Sequence, residues 1–207
     1  TNDGSHTIYF SDLNEHYHSK KGAIRESEYV FIRNGFSQQN KKHIKILEIG
    51  MGTGLNILLT FLHSDKNSKI YYHALEPYPL DASLHKKLNY CQLLDIDEEI
   101  LKKIHVSSWD KKIKLNENFI LCKEKTKIEN FMSRECFDLI YFDAFAPSKQ
   151  KNIWDFKIIK NCYDLLNIDG IIVTYSSSGD FKRNLKNTVF NQQNKLKLLR
   201  ANLNLMI

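Results

Sequence analysis

The segment Leu47-Glu48-Ile49-Gly50-Met51-Gly52-Thr53-Gly54-Leu55-Asn56 constrains this chain most. It holds three of the chain's 8 glycines, directly after the apolar run Ile44–Ile49 and directly before Leu55–His63. Glycine takes backbone conformations closed to other residues and lets a second backbone or a ligand come close. A strand that breaks into such a turn and continues as a helix offers the free N–H groups of the helix start. Dinucleotide-binding turns need G-x-G-x-x-G, which seats a pyrophosphate at the helix N-terminus. Here the third glycine comes one residue early, and the spacing excludes that fingerprint.

The rest of the chain alternates around this turn. Strands are expected at His6–Phe10, Ile44–Ile49, Ile70–Leu75, Phe119–Cys122, Phe137–Phe142 and Ile171–Tyr175, with one or two more in Lys195–Leu205. Helices are expected at Ala23–Gly35, Leu55–His63, Pro79–Tyr90, Asp97–His105, Thr126–Met132, Trp154–Leu166 and Gly179–Lys186. Ser107–Asn118 fits a loop or an extra strand. Alternation at this spacing predicts an α/β fold, a mostly parallel sheet with helices on both faces. Residues 1–43 read as an N-terminal extension and 44–207 as the main domain. A chain of 207 residues suits one domain with a real core.

The net charge of +6 admits a nucleic-acid partner. The excess is nearly all lysine in an asparagine-rich chain, as in a protein whose gene has drifted towards A and T. Lys41-Lys42, Lys86-Lys87, Lys102-Lys103 and Lys111-Lys112 read as solvated faces. Cys91, Cys122, Cys136 and Cys162 lack metal spacing and are expected as reduced thiols in a cytoplasmic protein. His16 and His18 do not belong to a metal-ligand spacing pattern, so no metal site is expected. No membrane span and no N-terminal leader is expected.

Two carboxylates stand where an α/β sheet binds its ligand, at strand ends. Glu76 ends the second strand, placed to accept hydrogen bonds from two ribose hydroxyls. Asp143 ends the run Phe137–Phe142. It can take a proton from an ammonium group or contact a cofactor's amino group, and both roles stay open.

Glu48-x-Gly50-x-Gly52-x-Gly54 with Glu76 resembles the cofactor turn of class I S-adenosylmethionine (AdoMet) methyltransferases, whose Rossmann-like domain carries a seven-stranded sheet. Asp143-Ala144-Phe145-Ala146-Pro147-Ser148-Lys149 with Trp154 resembles the D-G-F-A-P-x-K-x-P-x-x-W signature of the MnmC-like tRNA methyltransferases. Tyr17-His18-Ser19, Gly22–Ser27, Val30-Phe31, Gly52–Asn56, Glu76–Leu80, Tyr175-Ser176 with Lys182-Arg183, and Lys195–Ala201 match further blocks of that family. Departures are the missing second proline near Lys151-Asn152 and a short loop between Phe190 and Lys195.

The resemblance implies methyl transfer from AdoMet to the exocyclic amine of 5-aminomethyl-2-thiouridine, at the wobble position in the anticodon loop of tRNA. Its alternatives are methylation of another RNA site or a small amine, and an inactive tRNA-binding module. The flavin-dependent half of the bifunctional enzymes is not expected within this length, and upstream wobble-uridine enzymes would be partners. The implied cofactor residues are Glu48, Gly50, Met51, Gly52, Thr53, Gly54, Asn56, Glu76, Pro77, Glu124 (as adenine reader) and Asp143. Asp143 is also the implied catalytic residue. The implied substrate residues are Tyr17, Glu26, Phe145, Pro147, Lys149, Trp154 and Arg183.

Overall fold

A computed structural model describes residues 1–176, 179, 181, 183–184 and 196–198. A small hairpin comes first, β1 (Tyr9–Phe10) antiparallel to β2 (Glu15–His16). Helix α1 (Ala23–Ser27) follows and continues as a π-helical stretch, Glu28–Arg33. The main sheet then alternates with helices. Its first half is β3 (His43–Ile49), α2 (Leu55–His63), β4 (Lys69–Leu75), α3 (Ala82–His85), α4 (Tyr90–Leu94) and α5 (Glu98–Val106). The second half is β5 (Lys112–Lys114), β6 (Phe119–Glu124), β7 (Phe137–Phe142), α6 (Phe156–Asp164), β8 (Leu166–Val173) and β9 (Leu196–Leu198).

The sheet has seven strands in the order β5-β6-β4-β3-β7-β8-β9. All neighbours are parallel except β5 with β6. The fold is therefore the expected Rossmann-like α/β sheet. Chain order reverses between β3 and β7, so their carboxyl ends open the crevice where such sheets bind ligands.

Every residue of β7 is buried, as a central strand covered on both faces must be. Alternate β3 side chains serve opposite layers. Ile46 packs with Phe31, Leu58, Tyr72 and Tyr141, while Leu47 and Ile49 pack with Phe142, Trp154 and Ile159. The N-terminal segment shares the first layer through Ala23, Val30, Phe31, Ile32 and Phe36.

Within the segment 107–118 only Lys112–Lys114 forms a strand, the edge strand β5, with the Lys112 ammonium 4.8 Å from the Tyr71 ring centroid. Two expected helices differ. Pro79 stays in a loop, and Asp81 caps only the short α3, its carboxylate accepting from the Ser83 N–H at 2.7 Å. Thr126–Met132 forms a turn and no helix. The last helix and strand expected, Gly179–Lys186 and Lys195–Leu205, lie mostly outside the described residues. No described helix is long and apolar enough to cross a membrane.

Candidate active site

The turn after β3 is built by hydrogen bonds to the neighbouring strand. The Gly50 and Met51 N–H groups both donate to the Leu75 carbonyl, at 3.0 and 3.2 Å. Gly50 has φ +90°, and a Cβ there would run into the Asp143 backbone carbonyl. The close approach of the β3 and β7 ends therefore requires glycine at this position. Gly52, at φ +48°, lies against the Tyr17 ring.

Glu76 locks this turn to the end of β4. One carboxylate oxygen accepts from the Gly52 N–H at 2.9 Å, the other from the Tyr78 N–H at 2.8 Å. Burial still raises its pKa, because backbone hydrogen bonds only partly replace lost hydration. Thr53 is a junction. Its hydroxyl meets His18 Nε2 at 2.7 Å, and its carbonyl accepts from His105 Nε2 at 3.0 Å. Burial drives both imidazoles down to about 4, so both are neutral near pH 7.

Beneath the turn, the Asn56 amide nitrogen donates to Glu48 Oε1 at 2.9 Å and to Asp143 Oδ2 at 2.8 Å. Burial pushes Asp143 up to about 8, and the nearby Glu26 adds to the shift. The loop after Asp143 is pinned three times. Tyr175 donates to the Ala144 carbonyl at 2.8 Å, Trp154 Nε1 to the Phe145 carbonyl at 2.9 Å, and the Phe145 N–H to Gln150 at 3.2 Å.

These parts surround a cleft of about 1090 Å³. Gly50, Met51, Gly52, Thr53, Glu76, Pro77, Asp143, Tyr17, Phe145 and Lys149 all line it. Glu48 and Asn56 lie just below, fully buried or nearly so. Gly54 lies behind the turn, next to Ile104 and His105.

Others of the expected residues stand elsewhere. Glu124 is not brought to the cleft; its carboxylate sits 3.1 Å from His73 Nε2. Thr126, Lys127, Ile128 and Glu129, just beyond, line the cleft instead. Trp154 is only 3% exposed and packs on Phe142 and Phe181, so it anchors the loop from the core. Glu26 accepts from the Ser19 N–H at 2.9 Å, one layer behind Asp143. Pro147 and Arg183 are outside the lining, and Arg183 is exposed.

Residues the sequence reading missed come from the hairpin: Ile8, Tyr9, Phe10, Asp12 and Leu13 roof the cleft. Phe10 lies nearly parallel to Phe145 (centroids 6.2 Å apart, planes 14° apart), and Tyr17 meets Phe145 edge-on at 5.2 Å. The adjacent aromatics Tyr9-Phe10 in a largely polar N-terminal stretch were the available signal.

An AdoMet-sized ligand fits these residues. Drug-sized pockets run to about 1,000 Å³, and this one has room for a second group. The lining carries five carboxylates (Asp12, Glu76, Asp81, Glu129 and Asp143) against the three lysines Lys127, Lys149 and Lys151, so it offers partners to ammonium and sulfonium charges as well as to anions. Among the described residues, no group of three His, Cys, Asp or Glu side chains is arranged to hold a metal ion.

Comparison with known proteins agrees with this geometry. The chain is 24% identical, over 82% of its length, to the tRNA 5-methylaminomethyl-2-thiouridine biosynthesis bifunctional protein MnmC of Paraburkholderia xenovorans, of which it covers 28%. It is 25% identical over 87% of its length to the MnmC protein of Campylobacter jejuni, covering 31% of it. The chain thus spans under a third of these relatives. The crystal structure of MnmC2 from Aquifex aeolicus superposes with a TM-score of 0.74 at 25% identity, over 91% of this chain and 62% of that one. Residues 88–200 match the family model described as S-adenosyl-L-methionine-dependent methyltransferase, and with the glycine turn and its carboxylates in place the chain belongs to that family of AdoMet-dependent enzymes.

Proposed function

We propose that this methyltransferase acts on the exocyclic amine of 5-aminomethyl-2-thiouridine at the wobble position of tRNA. The MnmC relatives and the MnmC2 structure support this substrate class. The single observation that carries the chemistry is Asp143. It is a cleft-lining carboxylate at the tip of β7, with one oxygen held by Asn56 and a pKa pushed up to about 8.

AdoMet would supply a methyl group on a sulfonium: an uncharged amine would bond to that carbon in line as the C–S bond breaks, and the neutral thioether would leave. An aminomethyl group is an ammonium at neutral pH and must first lose a proton. Asp143, as a carboxylate of unusually high pKa, is matched to accept it. Glu76 and the Gly50–Thr53 backbone hold the cofactor side. Phe10, Tyr17 and Phe145 offer ring faces and edges to a base taken out of its stack. Lys127, Lys149 and Lys151 at the lining serve the phosphates. The four free cysteines suit a reducing compartment, the cytoplasm. Enzymes that install the aminomethyl group would act upstream.

The test is mass spectrometry of wobble nucleosides from tRNA incubated with enzyme and AdoMet. We expect 5-aminomethyl-2-thiouridine to gain one methyl group. A methyl group on a different nucleoside, with this one unchanged, rejects the substrate. Asp143→Asn is expected to keep AdoMet affinity within about tenfold, or ~1.4 kcal/mol, and to lose most turnover. A large loss of AdoMet affinity moves Asp143 to the cofactor side.

A further inference from the structure

Glu48, expected at the cofactor, does not reach the cleft and is 0% exposed in the centre of the sheet. Its Oε1 accepts one hydrogen bond, from Asn56, while its Oε2 makes none of good geometry and has only the Tyr72 hydroxyl near enough to interact. A buried carboxylate anion needs several donors or a cation. The titratable groups around it come from every packed element. They are Tyr72 on β4, Glu76 beyond β4, Tyr141 on β7 and Asp143 at the tip of β7. Around Asp143 stand Glu26 of α1, Tyr72, and Tyr175 beyond β8. None of these is a lysine, arginine or histidine.

The same amide nitrogen binds both acids, so Glu48 and Asp143 are two carboxyl groups tied through one Asn56 side chain. Two such groups without a cation do not both ionise. The two ends of the pair differ. Asp143 reaches the cleft, where water and a cationic ligand stabilise an anion, and Glu48 reaches only protein.

We propose that Glu48 is held as a neutral carboxylic acid beneath the cleft, and that the Asn56 amide it shares with Asp143 confines the pair's single negative charge to Asp143, facing the substrate. Glu48 and Asn56 are then positioning residues. Oε2 then carries the proton and can donate it to the Tyr72 hydroxyl oxygen, which otherwise lacks a hydrogen bond of good geometry. Burial raises the pKa of Glu48 well above the ordinary carboxylate range, in the same direction. This assignment deepens the role given above to Asp143 but concerns the protein alone.

Infrared difference spectra of the whole chain, without substrate and above the pH at which Asp143 ionises, test it directly. We expect the carbonyl band of a protonated carboxylic acid, present in the parent and in Asp143→Asn and lost in Glu48→Gln. A parent without that band overturns the proposal, whatever the substrate of the enzyme is. If Glu48→Gln does not fold, carbon-13 titration of the parent's carboxyl groups replaces it. One carboxyl that stays protonated after Asp143 has ionised supports the assignment, and the absence of any such carboxyl overturns it.

Turnover against pH supplies a second reading. Removing a neutral neighbour leaves the acid limb in place, so Glu48→Gln should keep the limb's position whatever happens to its height. Removing an anion would drop the limb by about one pH unit. Glu48→Leu, which lacks an acceptor for Asn56, should lower turnover further than Glu48→Gln.

Discussion

Gly50 shows how much rests on a missing side chain. The β3 and β7 ends approach so closely that the Asp143 carbonyl fills the space a Cβ would need, at a φ of +90°. Gly50→Ala therefore combines backbone strain with a clash. We expect a stability loss of about 1–3 kcal/mol in urea unfolding, with AdoMet affinity falling as well. Glu76 is the complementary case, a side chain with two duties. It ties the turn through Gly52 and Tyr78 while lining the cleft. Removing a hydrogen bond to a charged group costs on the order of 1.5–3 kcal/mol. Glu76→Ala should thus weaken AdoMet binding by more than tenfold in calorimetric titration, and an unchanged affinity would remove Glu76 from the cofactor site.

The hairpin β1–β2 is the element with most influence per residue. Phe10 and Tyr17 close over Phe145, and His18 grips Thr53. Base stacking on an aromatic is worth about 1–3 kcal/mol, so Phe10→Ala should weaken tRNA binding roughly tenfold or more. AdoMet affinity should stay within about threefold, a split checked by titrating the two ligands separately.

Elements carried by periodicity were legible in the sequence: α2 spans Leu55–His63 and β7 spans Phe137–Phe142, as the apolar pattern required. Pieces that serve the cleft were not. The expected helix Thr126–Met132 is a turn, and Thr126, Lys127, Ile128 and Glu129 within it line the cavity, a placement invisible in local propensity. Glu124 looked like an adenine reader from its place at a strand end. Its Cα pairs with Leu75, but its carboxylate meets His73 instead of entering the cleft. Gly50, Glu76 and Asp143 were legible because their spacing from strand ends fixes where they point. The roof was not, since residues 8–13 meet Phe145 only through tertiary packing.

At the scale of the molecule, buried titratable groups set a pH dependence with opposing parts. His18 and His105, lowered to about 4, stay neutral in the fold but take protons when unfolded below about 6.5. They contribute stability above about pH 6.5 and lose it as pH falls towards 4. Asp143, raised to about 8, keeps a proton in the fold that the unfolded chain releases near pH 4. Its contribution is full below about pH 4 and is lost as pH rises through 8. The two tendencies oppose each other between about pH 4 and 6.5. Above that the histidine part is constant and only the carboxyl part remains. Cofactor-free protein should therefore lose stability between about pH 6.5 and 8.5, at up to ~1.4 kcal/mol per pH unit for each proton released. The urea midpoint measured across that range checks it. Asp143→Asn, which cannot titrate, should remove the Asp143 part of the slope and leave the part that the raised pKa of Glu48 contributes.

Phe10 and Phe145 face each other across the cleft mouth, yet about 130 residues separate them along the chain, and a ribosome adding 5–20 residues per second makes the first on the order of 10 s before the second. During synthesis the roof exists without its walls, with exposed aromatics and no partner to cover them. The cleft proposed to accept a base is therefore among the last parts to close, and a nascent chain halted before β7 would carry the glycine turn but no place for a substrate.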